Sequence, residues 1–257
     1  MKRFANQVAL ITGAGKGIGF EIALQLAREG ARVILNDIDE ALAAKASQQI
    51  RAQNGICEWV AGDSGALSCI QEMVSLAIQK FGHVDIAIAN AGITTFGSFL
   101  EYTEAEFQRL IQVNLQGSFF LAQRAAQQMV TQESGGRILL MSSVTGHQHH
   151  PNLAAYGMSK AAIRYLAKHL GVELAPHGIT VNAISPGATL TERTRIDESG
   201  NFQVLWEKIT PTGKCATTQD IAHTALFFLS PQASQITGQT LIVDGGWTAY
   251  SPPPGEE

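Results

Sequence analysis

The chain contains 257 residues, of which 45% are hydrophobic, and its formal net charge at pH 7 is −4. The length is sufficient for one α/β domain with a full hydrophobic core. Because the chain has no basic excess, the composition argues against nucleic-acid partners and against binding to a membrane surface.

Three features predict a cytoplasmic protein. The longest apolar stretches, such as residues 84–89, have the length of a strand and are too short to span a bilayer. The basic residues at the start lead straight into a predicted strand without a cleavage site, so we expect no signal peptide. The odd number and wide spacing of Cys57, Cys69 and Cys215 fit neither a disulfide framework nor a zinc site.

Apolar runs of strand length alternate with helical patterns along the chain. The predicted strands cover residues 7–12, 31–36, 56–61, 84–89, 136–142, 180–185 and 240–243. The predicted helices cover residues 17–28, 39–53, 66–80, 103–130, 155–175 and 218–229. A capping-box sequence begins at Thr103, at the start of the fourth of these helices. The alternation predicts βαβ units and a parallel α/β sheet covered on both faces. We expect residues 1–251 to form a single domain and residues 252–257 to form a flexible tail.

A glycine-rich loop follows the first predicted strand. Its glycines at 13, 17 and 19 do not match the G-x-G-x-x-G dinucleotide fingerprint. Such glycines nevertheless permit a tight strand-to-helix turn and let a pyrophosphate approach backbone amides at the helix N-terminus. A plain glycine-rich turn is the alternative, but the flanking strand and helix favour a dinucleotide site. The predicted cofactor contacts here are Gly13, Gly15, Lys16, Gly17, Ile18 and Gly19.

The second strand ends in a carboxylate that indicates which dinucleotide binds. Asp37 is placed where it can accept hydrogen bonds from both adenosine ribose hydroxyls. Its charge would repel a 2′-phosphate, which favours NAD over NADP. Lys16 argues the other way, since a cation in the loop could reach that phosphate. Ile38 stands where a site for the 2′-phosphate would need arginine, so we expect NAD and not NADP as the cofactor.

Polar residues also follow the third and fourth predicted strands. Asp63 follows the third strand, where it could bind the adenine amine, and the run Asn90-Ala91-Gly92 ends the fourth. Each residue alone is more often a turn-former. Because the carboxyl ends of parallel strands meet at one edge of the sheet, we expect Asp63, Asn90 and Gly92 to contact the cofactor.

Tyr156 and Lys160 are four residues apart in a predicted helix, which places them on one face. A neighbouring cation favours the phenolate form of a tyrosine, and such a tyrosine can exchange a proton with an alcohol or carbonyl oxygen. Ser143, thirteen residues earlier, could hydrogen-bond the same oxygen. By itself the pair also fits a surface lysine over a half-buried ring.

The order of these motifs resembles the short-chain dehydrogenase/reductase family over nearly the whole chain. The resemblance is carried by Thr12-Gly13-x-x-x-Gly17-x-Gly19, Asn90-Ala91-Gly92, Ser143, Tyr156-x-x-x-Lys160 and Pro186-Gly187. It implies a single-domain Rossmann-type fold, a doubly wound parallel sheet of about seven strands with helices on both faces. It also implies a homotetramer assembled through the helices near 103–130 and 155–175.

The resemblance further implies a catalytic tetrad of Asn114, Ser143, Tyr156 and Lys160. Tyr156 would be the general acid/base, and Ser143, rather than the adjacent Ser142, would position the substrate oxygen. Lys160 would stabilise the phenolate and hold the nicotinamide ribose hydroxyls. Asn114 would bind a water in the proton path to Lys160.

Four further cofactor contacts are implied after the sixth strand, at Pro186, Gly187, Thr189 and Thr191. Thr191 matches the threonine that contacts the nicotinamide carboxamide. Thr189 departs from the family pattern, in which an aliphatic residue stands, and Ser64 departs in the same way beside the adenine. Both departures concern cofactor contacts and leave the chemistry unchanged.

The segments expected to line the substrate pocket are largely polar. The candidate substrate-binding residues are Thr94, His147, His149 and Arg193. A polar pocket favours a small molecule such as a sugar, polyol, aldonate or hydroxy acid. Residues 35–38 and 186–189 are similar to sugar- and gluconate-type dehydrogenases of the family.

The same residues also fit other assignments. The histidines of residues 147–150 suggest a metal site, but no carboxylate or cysteine lies near them in sequence, so we expect no metal. A 3-oxoacyl thioester reductase shares the scaffold. A non-catalytic nicotinamide-binding regulatory protein also shares it, although such relatives usually lack the tyrosine or lysine.

Overall fold

The computed structural model describes residues 2–195 and 201–251, without the side chains of Arg193 and Arg195. Its strands are β1 Val8–Ile11, β2 Arg32–Asp37, β3 Ile56–Ala61, β4 Ile86–Ala89, β5 Gly136–Met141, β6 Ile179–Pro186, β7 Thr189–Leu190, β8 Ala216–Thr217 and β9 Thr240–Val243. Its helices are α1 Gly17–Arg28, α2 Glu40–Arg51, α3 Leu67–Phe81, α4 Glu104–Ile111, α5 Gly117–Thr131, α6 Ala154–Glu173, α7 Glu192–Arg195, α8 Phe202–Ile209 and α9 Thr218–Leu229.

Seven of the nine described strands form a parallel sheet, in the order β3-β2-β1-β4-β5-β6-β9. β1 pairs with β2 on one side and β4 on the other, so the strand order reverses beside β1. In doubly wound sheets ligands bind in the crevice at the carboxyl edge beside this reversal. The predicted doubly wound Rossmann-type fold is therefore confirmed.

Alternate residues of each strand point to opposite faces, and both faces are covered by helices. On one face Ile11 and Leu35 pack against α1, α2 and α9. On the other face Leu10 and Ile34 pack against α3, α5 and α6. Burial on both sides explains why the strands are continuous apolar runs.

The helix predicted over residues 103–130 is divided in the structure. Its capping box is present, since Thr103 accepts from the backbone of Glu106 and the Glu106 carboxylate accepts from Thr103. However, residues 112–116 form a π-helical turn between α4 and α5. Asn114 in this turn pairs with the backbone of Ile93, accepting from its nitrogen at 2.8 Å and donating to its oxygen at 2.9 Å. This tertiary contact accompanies the wider turn, which a helical sequence pattern cannot predict.

Several short elements were not predicted. β7 and β8 pair in a separate two-stranded sheet, and α7 and α8 occupy the stretch between them. In α8 the side chains of Val204, Leu205 and Ile209 are at least half exposed, and none of its residues is buried. The helix therefore has no buried apolar stripe of the kind by which the longer helices are recognised in the sequence.

The three cysteines are free and buried. Burial raises the pKa of Cys57 to about 12 and that of Cys69 to about 11, which keeps both thiols protonated and unreactive. Within the described ranges, no helix is both long and apolar enough to cross a membrane.

Candidate active site

The glycine loop between β1 and α1 is built for close backbone approach. Gly13 and Gly17 have φ angles of 61° and 64°, which favour glycine. A Cβ atom on Gly19 would lie 2.4 Å from both the Asn90 amide nitrogen and the Gly13 carbonyl oxygen. Lys16, the N-cap of α1, makes no side-chain capping bond, so the first amides of α1 can face an anion. The loop therefore fits the pyrophosphate of a dinucleotide.

Asn90 holds this loop in place. Its amide nitrogen donates to the carbonyl oxygens of Thr12 at 3.0 Å and Gly13 at 2.8 Å. The Thr12 hydroxyl in turn accepts from the backbone nitrogens of Asn90 and Ala91, each at 3.2 Å. The amide nitrogen of Asn90 thus binds the loop carbonyls and fixes the shape of the loop, and contact of Asn90 with a cofactor stays a prediction.

The two predicted acidic cofactor ligands have different surroundings. Asp37 accepts from the Gly15 backbone nitrogen at 2.9 Å, which ties the end of β2 to the glycine loop. Asp63 accepts from the Gly65 nitrogen at 2.8 Å and forms an ion pair with Arg109. Although partial burial acts to raise it, the hydrogen bonds from Arg109 and Gly65 hold the pKa of Asp63 below its ordinary value. Contact of Asp63 with adenine stays a prediction.

A cleft of about 480 Å³ opens at the carboxyl edge of the sheet. From the glycine loop it is lined by Lys16, Gly17 and Ile18, and from the segment after β4 by Asn90, Gly92 and Thr94. Ser143, Tyr156 and Lys160 line its centre together with Pro186, Gly187, Thr189 and Thr191. Gly13, Gly15, Gly19, Asp37, Ile38, Asp63 and Asn114 lie outside this lining. The structure thus brings thirteen of the predicted residues to one cavity.

The two adjacent serines after β5 have different roles. The Ser142 hydroxyl is buried and donates to the Lys160 carbonyl oxygen at 2.8 Å. The Ser143 hydroxyl oxygen accepts from the Thr145 backbone nitrogen at 3.3 Å and from the Thr145 hydroxyl at 3.0 Å. Ser143 therefore has its own hydrogen left for a group in the cleft.

Tyr156 and Lys160 share one face of α6, as the spacing predicts. The Lys160 ammonium lies 5.6 Å from the centroid of the Tyr156 ring and donates to the Met141 carbonyl oxygen at 2.8 Å. A Cβ atom on Gly92 would lie 3.3 Å from this ammonium and 3.4 Å from Asn114 Oδ1. Because Lys160 is only 3% exposed, its charge acts on Tyr156 with little screening by water.

Asn114, the fourth predicted catalytic residue, lies beneath the cleft and is completely buried. Besides its clamp on Ile93, its amide nitrogen lies 3.3 Å from the Ser159 hydroxyl. Its side chain links the segment after β4 to α6, and its predicted water-binding role stays a prediction.

The histidines after Ser143 point in different directions. His147 Nε2 lies 2.8 Å from the Ser185 hydroxyl and outside the cleft lining, and burial lowers the pKa of His147. His149 is exposed and also lies outside the lining, whereas His150 lines the cleft. The side chain of Arg193 lies outside the described residues. The described residues contain no cluster of three ligands able to hold a metal ion.

The aromatic part of the lining lies within the segments expected to line the pocket, but none of its residues was named as a substrate-binding candidate. Phe96, His150, Phe202 and Trp206 all reach the cleft. The signal available in the sequence was the spacing of Phe202 and Trp206, four residues apart, which places both on one face of a helix.

Several known proteins resemble the chain over nearly its full length. A family model described as Enoyl-(Acyl carrier protein) reductase matches residues 13–248. A short-chain dehydrogenase/reductase of Armillaria gallica is 39% identical, over 94% of this chain and 95% of that protein. L-rhamnose 1-dehydrogenase (NAD(P)(+)) of a Sphingomonas species is 34% identical, over 96% of this chain and 98% of that protein. A crystal structure of a short-chain type dehydrogenase/reductase from Mycobacterium marinum has a TM-score of 0.91 at 33% identity, covering 96% of this chain and 97% of that one.

Proposed function

Since the chain belongs to the short-chain dehydrogenase/reductase family of nicotinamide-dependent oxidoreductases, we propose that it interconverts a secondary alcohol and a ketone with NAD. The proposed substrate is a small polar molecule, such as a sugar, polyol, aldonate or hydroxy acid. The observation that carries this proposal is the meeting of Ser143, Tyr156 and Lys160 in the cleft that the glycine loop borders.

In this proposal the catalytic and cofactor-binding residues have the following tasks. A nicotinamide dinucleotide held by the glycine loop, Asp37 and the segment from Pro186 to Thr191 would supply or accept the hydride. Tyr156 gives its phenolic proton to the ketone oxygen in reduction and takes it back in oxidation. Lys160 stabilises the phenolate that alternates with the phenol. Ser143 donates a hydrogen bond to the same substrate oxygen.

Thr145 is proposed as a positioning residue for Ser143. Both hydrogen bonds that the Ser143 oxygen accepts come from Thr145, so a hydroxyl with one hydrogen must donate elsewhere. We expect Thr145→Val to lower kcat by roughly 3- to 10-fold, because only the longer bond from the residue 145 backbone nitrogen then holds the Ser143 hydroxyl. Thr145→Ser should restore the rate, and the dissociation constant of NADH should not change in either variant. Steady-state kinetics and NADH titration measure both; an unchanged rate in Thr145→Val would contradict the role.

Cofactor choice is proposed to depend on the charge of Asp37. We expect Asp37→Asn to raise kcat/KM with NADP by about 10- to 100-fold, because repulsion of a 2′-phosphate is removed. The asparagine oxygen can still accept from Gly15 and so hold the glycine loop, while the bond that Asp37 Oδ1 accepts from the Asp39 backbone nitrogen is lost. Asp37→Ala should also relax the discrimination against NADP. It should in addition weaken the binding of NAD, because the glycine loop loses its bond to residue 37. Initial rates with both cofactors measure the change, and an unaltered preference would contradict the ribose role.

Two other functions are alternatives to this proposal. A 3-oxoacyl thioester reductase is favoured by the 36% identity of the chain to a 3-oxoacyl-[acyl-carrier-protein] reductase of Staphylococcus epidermidis. A non-catalytic nicotinamide-binding protein would bind NADH without turnover. A panel of sugars, polyols, aldonates and 3-oxoacyl thioesters, followed by the absorbance of reduced nicotinamide, separates these functions. Turnover of the thioesters alone would replace the sugar-type proposal.

A homotetramer assembled through α4, α5 and α6 is part of the same proposal. Phe119 is 41% exposed and forms part of a surface available for assembly, whereas Leu121 is buried in the core and contributes nothing to it. Exposed Tyr165 and Val172 on α6 extend the apolar surface. Sedimentation of the full chain measures the number of subunits.

A further inference from the structure

One end of the cleft is walled by aromatic rings. His150, Phe202 and Trp206 line it, and we call these three residues the aromatic wall. The His150 and Trp206 rings have centroids 6.0 Å apart and planes inclined by 23°, and the Phe202 ring lies 6.1 Å from Trp206. The rings come from two separate segments of the chain, so the wall exists only in the folded protein.

The orientation of α8 is what brings two of these rings to the cleft. Phe202 and Trp206 lie one turn apart and are partly buried, while Val204 and Leu205 are 52% and 57% exposed. α8 thus keeps small aliphatic side chains in solvent and turns its largest rings towards the site of reaction. This arrangement is explained if the rings meet a substrate.

Trp206 is held from behind by the C-terminal segment. The Trp247 ring packs edge-on against Trp206 with centroids 4.9 Å apart, and Trp247 itself lies outside the cleft lining. Trp247 belongs to a short turn anchored by Asp244, which accepts from the backbone nitrogens of Gly246 at 2.9 Å and Thr248 at 2.8 Å. Trp247 is therefore positioned to fix the angle of the Trp206 ring.

The ammonium and carboxylate groups of the described lining lie at the glycine loop and beside Tyr156, and none of them belongs to the aromatic wall. The charged groups are Lys16 and Glu192 at the glycine loop, where Glu192 Oε2 would be 3.8 Å from a Cβ on Gly17, and Lys160 beside Tyr156. The same lining contains several hydroxyl groups, among them those of Thr94, Ser143 and Thr145. Hydroxyl groups beside aromatic rings fit a neutral molecule with a flat apolar face and hydroxyls at its edge.

We propose that the aromatic wall binds the flat face of a neutral ring, so that the enzyme acts on a ring alcohol or ketone and not on an open-chain or anionic one. This inference rests on the proposed function and narrows its substrate class: a pyranose or an alicyclic alcohol fits, and an open-chain polyol or aldonate does not. Trp206 determines the specificity, and Trp247 is its positioning residue.

The first test measures binding without turnover. The wild-type protein is saturated with NADH, and an alcohol is then titrated by calorimetry, since reduced cofactor and alcohol cannot react. Cyclohexanol is compared with 2-hexanol. The methyl pyranoside of a sugar is compared with the alditol and the aldonate of that same sugar. We expect the ring of each set to bind about tenfold more tightly than its open-chain partners.

The two sets distinguish a sugar ring from an alicyclic ring, since tighter binding of the pyranoside indicates the former. Equal or tighter binding of the open-chain members or of the aldonate would overturn the inference. Ring binding without oxidation by NAD would support the wall and contradict the proposed hydride transfer, so the two failures are distinguishable.

The second test assigns the preference to named rings. We expect Trp206→Ala to remove the tenfold preference for the ring, Trp206→Phe to retain most of it, and Trp247→Ala to lose part of it. The double variant should bind the ring alcohol no more weakly than Trp206→Ala does, because Trp247 acts through Trp206. Leu205→Ala on the exposed face of α8 is the matched control, and NADH affinity should stay within about twofold throughout. Equal losses for ring and open-chain alcohols in Trp206→Ala would overturn the assignment.

Discussion

Tyr156→Phe is expected to lower kcat by about 10²- to 10⁴-fold while the affinity for NADH stays within about twofold. The substitution removes only the phenolic oxygen, so the ring beside Lys160 remains and the cleft keeps its shape. The loss falls on kcat because the hydroxyl is needed for proton transfer and not for holding the dinucleotide. Stopped-flow turnover and fluorescence titration with NADH measure the two quantities separately.

Tyr165→Phe is the matched control for this change. Tyr165 lies on the same helix and is 70% exposed, so the loss of its hydroxyl should leave turnover unchanged. If Tyr156→Phe retained the wild-type rate, Tyr156 would not be the general acid/base. If it lost NADH binding as well, the effect would be one of structure and not of proton transfer.

Lys160→Met is expected to lower kcat by a comparable 10²- to 10⁴-fold and also to weaken NADH binding. Methionine has a similar length, so packing under Tyr156 is largely kept while the ammonium is removed. Turnover falls because the phenolate loses its neighbouring cation, and cofactor binding falls because the proposed contact with the ribose hydroxyls is lost. This double effect distinguishes Lys160 from Tyr156, whose loss should affect kcat alone.

Lys168→Met provides the control, since Lys168 is an exposed lysine two turns further along α6. Thermal unfolding of both variants shows whether the loss of the bond from Lys160 to the Met141 carbonyl oxygen destabilises the fold. Unchanged NADH affinity in Lys160→Met, with turnover also retained, would remove Lys160 from the proposed site.

Much of the fold follows from patterns that are local in sequence. The apolar strand runs alternate with helical periods because each strand is buried on both faces and each helix on one. The glycine loop could be predicted because it joins the first strand to the first helix, and its positive φ angles at Gly13 and Gly17 require glycine. The capping box at Thr103 could also be predicted, because both of its partners lie within one helical turn in sequence.

Other features depended on residues far apart in the chain. The π-helical turn at residues 112–116 lies in a continuous helical pattern and includes Asn114, which grips Ile93. The sequence offered His147 and His149 as substrate ligands, and packing turned His147 towards Ser185 and placed His150 in the cleft. Side-chain direction in a loop is decided by its neighbours, which a local pattern does not contain.

By itself the sequence determined the order of the strands and helices, the glycine loop and the spacing of Tyr156 and Lys160, because each depends on residues within a few turns. Only the tertiary structure decided that Asn114 binds Ile93 from a π-helical turn and that the polar segment after β6 leads to a helix bearing Phe202 and Trp206. These outcomes arise from contacts such as Asn114 with Ile93 and Trp206 with Trp247. Their free energy is gained when distant segments pack, so it leaves no period or motif in the sequence.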